Sequence, residues 1–232
     1  LGICTTGALY SATANLEVDG GVMITASHNP PEYNGFKMCR GTAAMAGDEI
    51  QELRAVFEAG EFRTGSGNHI DAGDFLSTYM TDVIEKAGLP NRSVKVVIDS
   101  ANAVPGPFMV ELCEKLGCET HALHCEWDNT FPNHPPDPTR PKNMVELGAK
   151  VVETGAEFGI GIDGDGDRVG VVDEQGNFIH PDRLLAVFAR DILSRVPADA
   201  SDAARTVIHD VKCSMALEQT IEAAGGIAHM MR

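Results

Sequence analysis

Three aspartates at every second position, Asp163, Asp165 and Asp167, stand in the run Asp163-Gly164-Asp165-Gly166-Asp167-Arg168. The intervening glycines reach backbone angles that other residues resist, so the three carboxylates can converge. Convergence without a cation is unfavourable, since two like charges about 4 Å apart repel by roughly 1 to 4 kcal/mol at effective dielectrics from water to protein surface. A hard divalent cation with oxygen ligands, Mg²⁺ or Ca²⁺, removes that cost. The EF-hand pattern asks for Asp at its first, third and fifth positions, Gly at the sixth and Glu at the twelfth, and Glu174 does fall at the twelfth. Arg168 takes the place of the required glycine, however, and strands rather than helices are expected on either side. The residues therefore favour a three-carboxylate Mg²⁺ site completed by an oxygen from elsewhere; the plain alternative is an acidic surface turn.

A candidate for that oxygen lies far upstream, in Thr25-Ala26-Ser27-His28-Asn29-Pro30-Pro31 followed by Tyr33-Asn34-Gly35-Phe36-Lys37. Serine in a polar turn usually caps or solvates its loop, and its hydroxyl alone is a weak nucleophile. Phosphorylated, Ser27 would carry a charge of about -2 and three acceptor oxygens, a strong ligand for a cation held by carboxylates. Two prolines fix local angles and make this loop stiff, and Tyr33-Asn34-Gly35 reads as a turn.

Stepping along the chain, the pattern predicts a helix over 8–17, a buried strand over 21–25, a returning strand over 36–38 and a helix over 48–59, then a loop at 64–68. After a helix over 74–87, strands over 94–98, 119–125 and 158–162 alternate with helices over 108–116 and 143–154. Strands over 169–172 and 177–180 pair across a turn, and 131–141 is a long structured loop. A helix over 184–196, a strand over 207–211, a helix over 215–224 and the start of a strand at 226–228 follow. This βαβαβ order predicts an α/β fold with a parallel core sheet, and places the acidic loop after a strand, where such sheets put their ligand sites.

Composition narrows the partners. With 34 acidic and 18 basic residues the formal net charge is -16, which repels nucleic acid and anionic membranes alike. An anionic substrate would need local cations or a metal against that field. The six cysteines form no CxxC pair and read as reduced, mostly buried residues. No apolar run approaches the roughly 20 residues of a membrane span, so a cytoplasmic location is expected. The chain opens on Leu1 and stops at Arg232 just after a strand begins, so both ends are expected to be cut.

At these motifs the chain resembles the α-D-phosphohexomutases, most closely the bacterial phosphomannomutase/phosphoglucomutase branch. The serine loop, Phe131-Pro132-Asn133-His134-Pro135-Pro136-Asp137-Pro138, the acidic loop and Asp210-Val211-Lys212-Cys213 occur in that family's order. The resemblance implies consecutive mixed or parallel-sheet α/β domains of the phosphohexomutase type, truncated at both ends: 1–73 the end of domain 1, 74–178 domain 2, and 179–232 the beginning of domain 3. It implies that Ser27 is the phosphoserine, that Mg²⁺ is bound by its phosphoryl oxygen with Asp163, Asp165 and Asp167, and that a hexose phosphate becomes a hexose bisphosphate and returns a phosphate to Ser27.

The same resemblance gives further residues roles. Lys37 would act as general acid or base, or neutralise phosphate; His28 would orient the loop or move a proton; Arg168 would contact the transferred phosphate, or pair with an aspartate of its own loop. Lys212 would face the substrate, although an ion pair with Asp210 would look the same in sequence. Ser100-Ala101-Asn102-Ala103 stands where relatives show a more glycine-rich turn. The fragment alone is expected to be inactive, lacking the sugar-recognition loop of domain 3 and the phosphate loop of domain 4. Related readings are a phosphoglucosamine mutase and a non-catalytic metal or sugar-phosphate-binding module.

Overall fold

The computed structural model describes residues 1–30, 32–197 and 199–231. Pro31, one of the two prolines expected to stiffen the serine loop, and Arg232, the last residue, lie outside the described residues. The first elements are α1 (Thr6–Asn15), β1 (Gly20–Ile24), β2 (Phe36–Arg40), β3 (Ala43–Ala44) and α2 (Asp48–Ala59). β1 and β2 pair antiparallel, with Ile24 opposite Phe36, and β3 returns along β2. β1 is not the buried strand its apolar run suggested. Period-two alternation turns Gly21 and Met23 towards α1, where Leu9 and Thr13 crowd Gly21, and leaves Val22 and Ile24 exposed. The turn expected at Tyr33-Asn34-Gly35 sits earlier, where the Tyr33 N–H donates to Pro30 O, and Thr25 N–H to Gly35 O closes the long loop.

Next come α3 (Phe75–Ala87), β4 (Lys95–Asp99), α4 (Pro105–Lys115), β5 (Glu119–Leu123), a 3₁₀ turn (Pro141–Met144), α5 (Val145–Thr154), β6 (Phe158–Ile162), β7 (Val169–Val172) and β8 (Phe178–Ile179). They build a five-stranded sheet in the order β5-β4-β6-β7-β8. β5, β4 and β6 run parallel, and β7 and β8 are antiparallel additions, so the sheet is mixed. Helices cover both faces. Val96 and Ile98 pack with Cys113 and Ile162 on the α4 side, while Val97 packs with Leu147 and Val151 on the α5 side. That two-sided burial explains why β4 reads as an unbroken apolar run. β5 stops at Leu123 rather than 125 because His124 takes a left-handed φ of 50°.

The chain continues directly into α6 (Pro181–Arg195), a short α7 (Asp202–Arg205), β9 (Thr206–Asp210), α8 (Met215–Ala223) and β10 (Ile227–Met231). β9 and β10 pair in parallel through the α8 crossover, and Ala189, Leu193, Leu217 and Ile221 form a small core between α6 and α8. Of the six cysteines, Cys4, Cys39, Cys113 and Cys125 are buried; Cys118 and Cys213 are half-buried.

The loop 131–141 is tied to the carboxyl end of β4. His134 Nε2 lies 2.9 Å from Asp99 Oδ2, and Nδ1 lies 3.0 Å from Pro135 O. Both partners are acceptors, so the doubly protonated ring satisfies them best. Burial pulls the imidazole pKa down, but the hydrogen bond and charge of Asp99 outweigh it and the net shift is upwards. Nearby, Ala101 and Asn102 take positive φ without any glycine, held in part by Asp99 Oδ1 accepting from the Ala101 N–H.

A group whose folded pKa is raised stabilises the fold fully below its unfolded value and loses that contribution as pH rises through the folded value. Unfolding free energy should therefore decline from about pH 6.5, the ordinary imidazole value, upwards. His134→Gln should flatten the decline in urea titrations run across that window, whereas superimposable profiles would refute the assignment.

Candidate active and metal site

Two loops build the site. The first joins β1 to β2, and in it Ser27 has a left-handed φ of 52°. The second joins β6 to β7 and wraps around its own first carboxylate: Asp163 Oδ1 accepts from the backbone N–H groups of Asp167 and Arg168, each at 2.9 Å. Gly166, at φ 78°, supplies the reversal that folds the run back on itself. Asp163 and Asp165 are fully buried, and Asp167 is partly open to solvent.

The loops meet at Ser27, whose hydroxyl donates to Asp163 Oδ2 at 2.6 Å across 136 residues of sequence. His28 Nδ1 lies 3.2 Å from the same hydroxyl oxygen. Arg168 Nη1 is 3.1 Å from His28 Nδ1, and because a guanidinium can only donate, the ring nitrogen accepts there. Its contact with Asp167, at 3.9 Å, is longer than those with the His28 ring. From β2, the Lys37 ammonium lies 2.8 Å from Asp165 Oδ2 and 2.6 Å from Asp167 Oδ2, and donates to Thr6 Oγ1 at 3.0 Å. Seven of the eight residues singled out in the sequence thus come together: Ser27, His28, Lys37, Asp163, Asp165, Asp167 and Arg168. Lys212 does not join them. Its side chain is largely exposed, 3.4 Å from Asp210, at the edge of a separate cavity of about 580 Å³ that also includes His180 and Arg183.

Sequence reasoning missed Thr6 and Thr25. Thr6 opens α1, and its N–H donates to Asp165 O at 2.8 Å; Thr25 Oγ1 donates to Asp165 Oδ2 at 3.0 Å. Only the position of Thr25 two residues before Ser27 could have signalled its part, and nothing in the local pattern marks Thr6.

The charges are unevenly held. Burial, with the neighbouring carboxylates, pushes Asp163 above the usual carboxylate range, against the hydrogen bonds it receives from Ser27 and the Arg168 N–H. Burial also raises Asp167, but the Lys37 ammonium outweighs it and the net shift is down. Lys37 is likewise drawn down by burial and carried back above its usual value by its two aspartates, so it is a cation near neutral pH. One carboxylate oxygen of each aspartate lies within 4.8 Å of the others. Among the described residues Asp165 Oδ1 is buried without a hydrogen-bond partner. A buried, unpaired, hard oxygen beside two more is what a divalent cation of the Mg²⁺ type accepts as ligands, so the residues fit such an ion.

The α/β layers that carry this pair of interlocked loops match two family models. "Phosphoglucomutase/phosphomannomutase, alpha/beta/alpha domain I" matches residues 1–64, and the domain II description of the same family matches residues 77–176. The chain belongs to the phosphoglucomutase/phosphomannomutase family. It is 42% identical over 232 residues to a phosphomannomutase/phosphoglucomutase of Pseudomonas putida, covering 100% of this chain and 48% of that protein. A Neisseria meningitidis phosphoglucomutase is 42% identical over 231 residues, with 99% and 49% covered. A crystal structure of a phosphoglucomutase/phosphomannomutase family protein from Burkholderia thailandensis superposes with a TM-score of 0.90 at 38% identity, over 99% of this chain and 50% of that one. The chain thus spans about half the length of the relatives it matches. Among the described residues no helix is long and apolar enough to cross a membrane.

Lys37 is the ammonium that faces two of the three carboxylates, so Lys37→Met should lower the thermal midpoint at low ionic strength by an amount equivalent to about 2 kcal/mol. Added salt should relieve part of the loss, because screening weakens the exposed part of the repulsion. Differential scanning calorimetry at low and high salt checks this; an unchanged midpoint at both would contradict it.

Proposed function

We propose that the protein to which this chain belongs interconverts hexose 1-phosphates and hexose 6-phosphates, of mannose, glucose or both, through a phosphoserine at Ser27 and a hexose bisphosphate. The observation that carries this reading is the 2.6 Å hydrogen bond between the Ser27 hydroxyl and Asp163, inside a cluster of three carboxylates. Asp163, Asp165 and Asp167 would hold Mg²⁺ together with a phosphoryl oxygen on Ser27. Such an ion withdraws charge from a migrating phosphoryl group and positions it for in-line displacement.

The remaining residues fit phosphoryl transfer in both directions. As the sugar hydroxyl attacks, its O–P bond forms and the bond from Ser27 Oγ to phosphorus breaks, while the sugar hydroxyl gives up its proton to a neighbouring base and Ser27 Oγ takes one up to leave as the free hydroxyl. Rotation of the bisphosphate presents the other phosphate, and the reverse transfer regenerates phosphoserine. Lys37, 2.8 Å from Asp165 and 2.6 Å from Asp167, is placed to neutralise phosphate charge or to act as general acid or base. His28 accepts from Arg168 and lies beside the serine oxygen, so it would help orient the loop or move a proton once that contact rearranges. Arg168 offers a planar fork to phosphate oxygens.

Residues 1–73, 74–178 and 179–232 serve, in this reading, as part of domain 1, domain 2 and part of domain 3. Lys212, in the third, would contact the substrate. Hexose phosphate and hexose bisphosphate are the partners expected, with neither nucleic acid nor membrane, and free cysteines suit the reducing cytoplasm.

The test uses the full-length protein, phosphorylated on serine and supplied with Mg²⁺, assayed on the mannose and the glucose phosphate pairs. Ser27→Ala should lower turnover by more than about 1,000-fold and abolish covalent phosphate in the intact mass spectrum. Undiminished turnover in that variant would refute the phosphoserine assignment.

A further inference from the structure

The Ser27 hydroxyl meets Asp163 because the whole Ser27 peptide is seated on the acidic loop, and two residues outside the proposed chemistry make the seat. At one end, the Ser27 N–H donates to Thr25 Oγ1 at 2.9 Å, and that hydroxyl donates onward to Asp165 Oδ2 at 3.0 Å. At the other end, the Ser27 carbonyl lies on Gly164. A Cβ on Gly164 would stand 1.9 Å from Ser27 O and 2.7 Å from its carbonyl carbon. Both of those atoms are backbone, so no side-chain rotation could relieve the clash. Unlike Gly166, Gly164 does not need a left-handed φ; space, not backbone angle, requires glycine here.

A turn threonine that only satisfied a neighbouring N–H would be an ordinary local motif. Thr25 does more, since its own proton goes to a carboxylate 140 residues away. Ser27 itself holds a backbone conformation that L residues disfavour, and contacts at both ends of the residue keep it there.

We propose that Thr25 and Gly164 are positioning residues for phosphoryl transfer: one ties the Ser27 N–H to Asp165 through a hydroxyl, and the other gives the Ser27 carbonyl a seat with no side chain. Together they fix where Oγ stands relative to the three carboxylates. This inference rests on the reading of Ser27 as the phosphoryl carrier.

In the full-length protein, four variants decide it: Thr25→Val, Thr25→Ser, Gly164→Ala and Ser27→Ala. Thr25→Val, close in shape but unable to bridge, should lower kcat by about 100-fold while KM stays within about threefold. Thr25→Ser, which keeps the hydroxyl, should recover kcat to within about threefold of the wild type. Gly164→Ala should lose kcat while calorimetry with Mg²⁺ still shows binding, because its clash is with Ser27 and not with an aspartate side chain. Should Gly164→Ala fail to fold, the Thr25 pair decides alone. Wild-type kcat in Thr25→Val, or no recovery in Thr25→Ser, overturns the proposal. If Ser27→Ala is inactive while Thr25→Val and Gly164→Ala are fully active, only this inference falls; if Ser27→Ala is fully active, the phosphoserine reading falls and takes this one with it.

Discussion

Three carboxylates held within reach of one another, two of them fully buried, dominate the physics of this chain. Removing carboxylates from water is costly, and their mutual repulsion adds to the cost unless cations and hydrogen-bond donors answer it. Nearly everything around the acidic loop can be read as such an answer. Two backbone N–H groups point at Asp163, a serine hydroxyl donates to it, a threonine hydroxyl donates to Asp165, and one ammonium spans Asp165 and Asp167. Asp165 Oδ1 is left unanswered among the described residues, and that remaining demand is what makes a divalent ion the natural completion.

The answer comes from two separate stretches of chain, and that has consequences for the fold. β6 emerges from the centre of a sheet buried on both faces, which gives the acidic loop a rigid base. The serine loop is carried by a small antiparallel sheet and meets the acidic loop at Gly164, while the first residue of α1 separately donates its N–H to Asp165 O. If Ser27 carries phosphate as proposed, such stiff seating would help it, because misplacement of a reacting group by an ångström erodes rate steeply. Against a net charge of -16, the local cations Lys37 and Arg168 would matter all the more to the anionic substrate proposed.

Much of this was legible in the residues. Short strands with apolar runs and helices with clear periodicity emerged within a few residues of their bounds, and alternation announced an α/β sheet with a parallel core, to which β7 and β8 add antiparallel strands. The acidic loop was readable because glycine-spaced aspartates have few structural uses, and the serine loop because a metal site lacking an oxygen gave it a purpose. What escaped the sequence was whatever depends on the third dimension. The exposure of β1 could not be read from Gly-Val-Met-Ile, since an apolar strand looks alike whether one face or two are covered. β5 ended early because His124 turns left-handed, which nothing in the alternation of Glu119 to Cys125 announces. Thr6 and Thr25 carry no pattern of their own; only the juxtaposition of distant loops reveals them. Lys212 shows the opposite case: the motif is plain, yet the side chain lies on Asp210 and away from the cluster.

The claim on which the account turns is that one serine oxygen and three aspartates share a single cation. Phosphorylated full-length protein loaded with Mn²⁺ in place of Mg²⁺ can be examined by pulsed electron–nuclear double resonance at the phosphorus frequency. The account expects a strong ³¹P coupling to the metal, present without any added sugar phosphate and lost in Ser27→Ala. A Mn²⁺ signal that depends on the aspartates but carries no phosphorus coupling in the fully phosphorylated protein would contradict it.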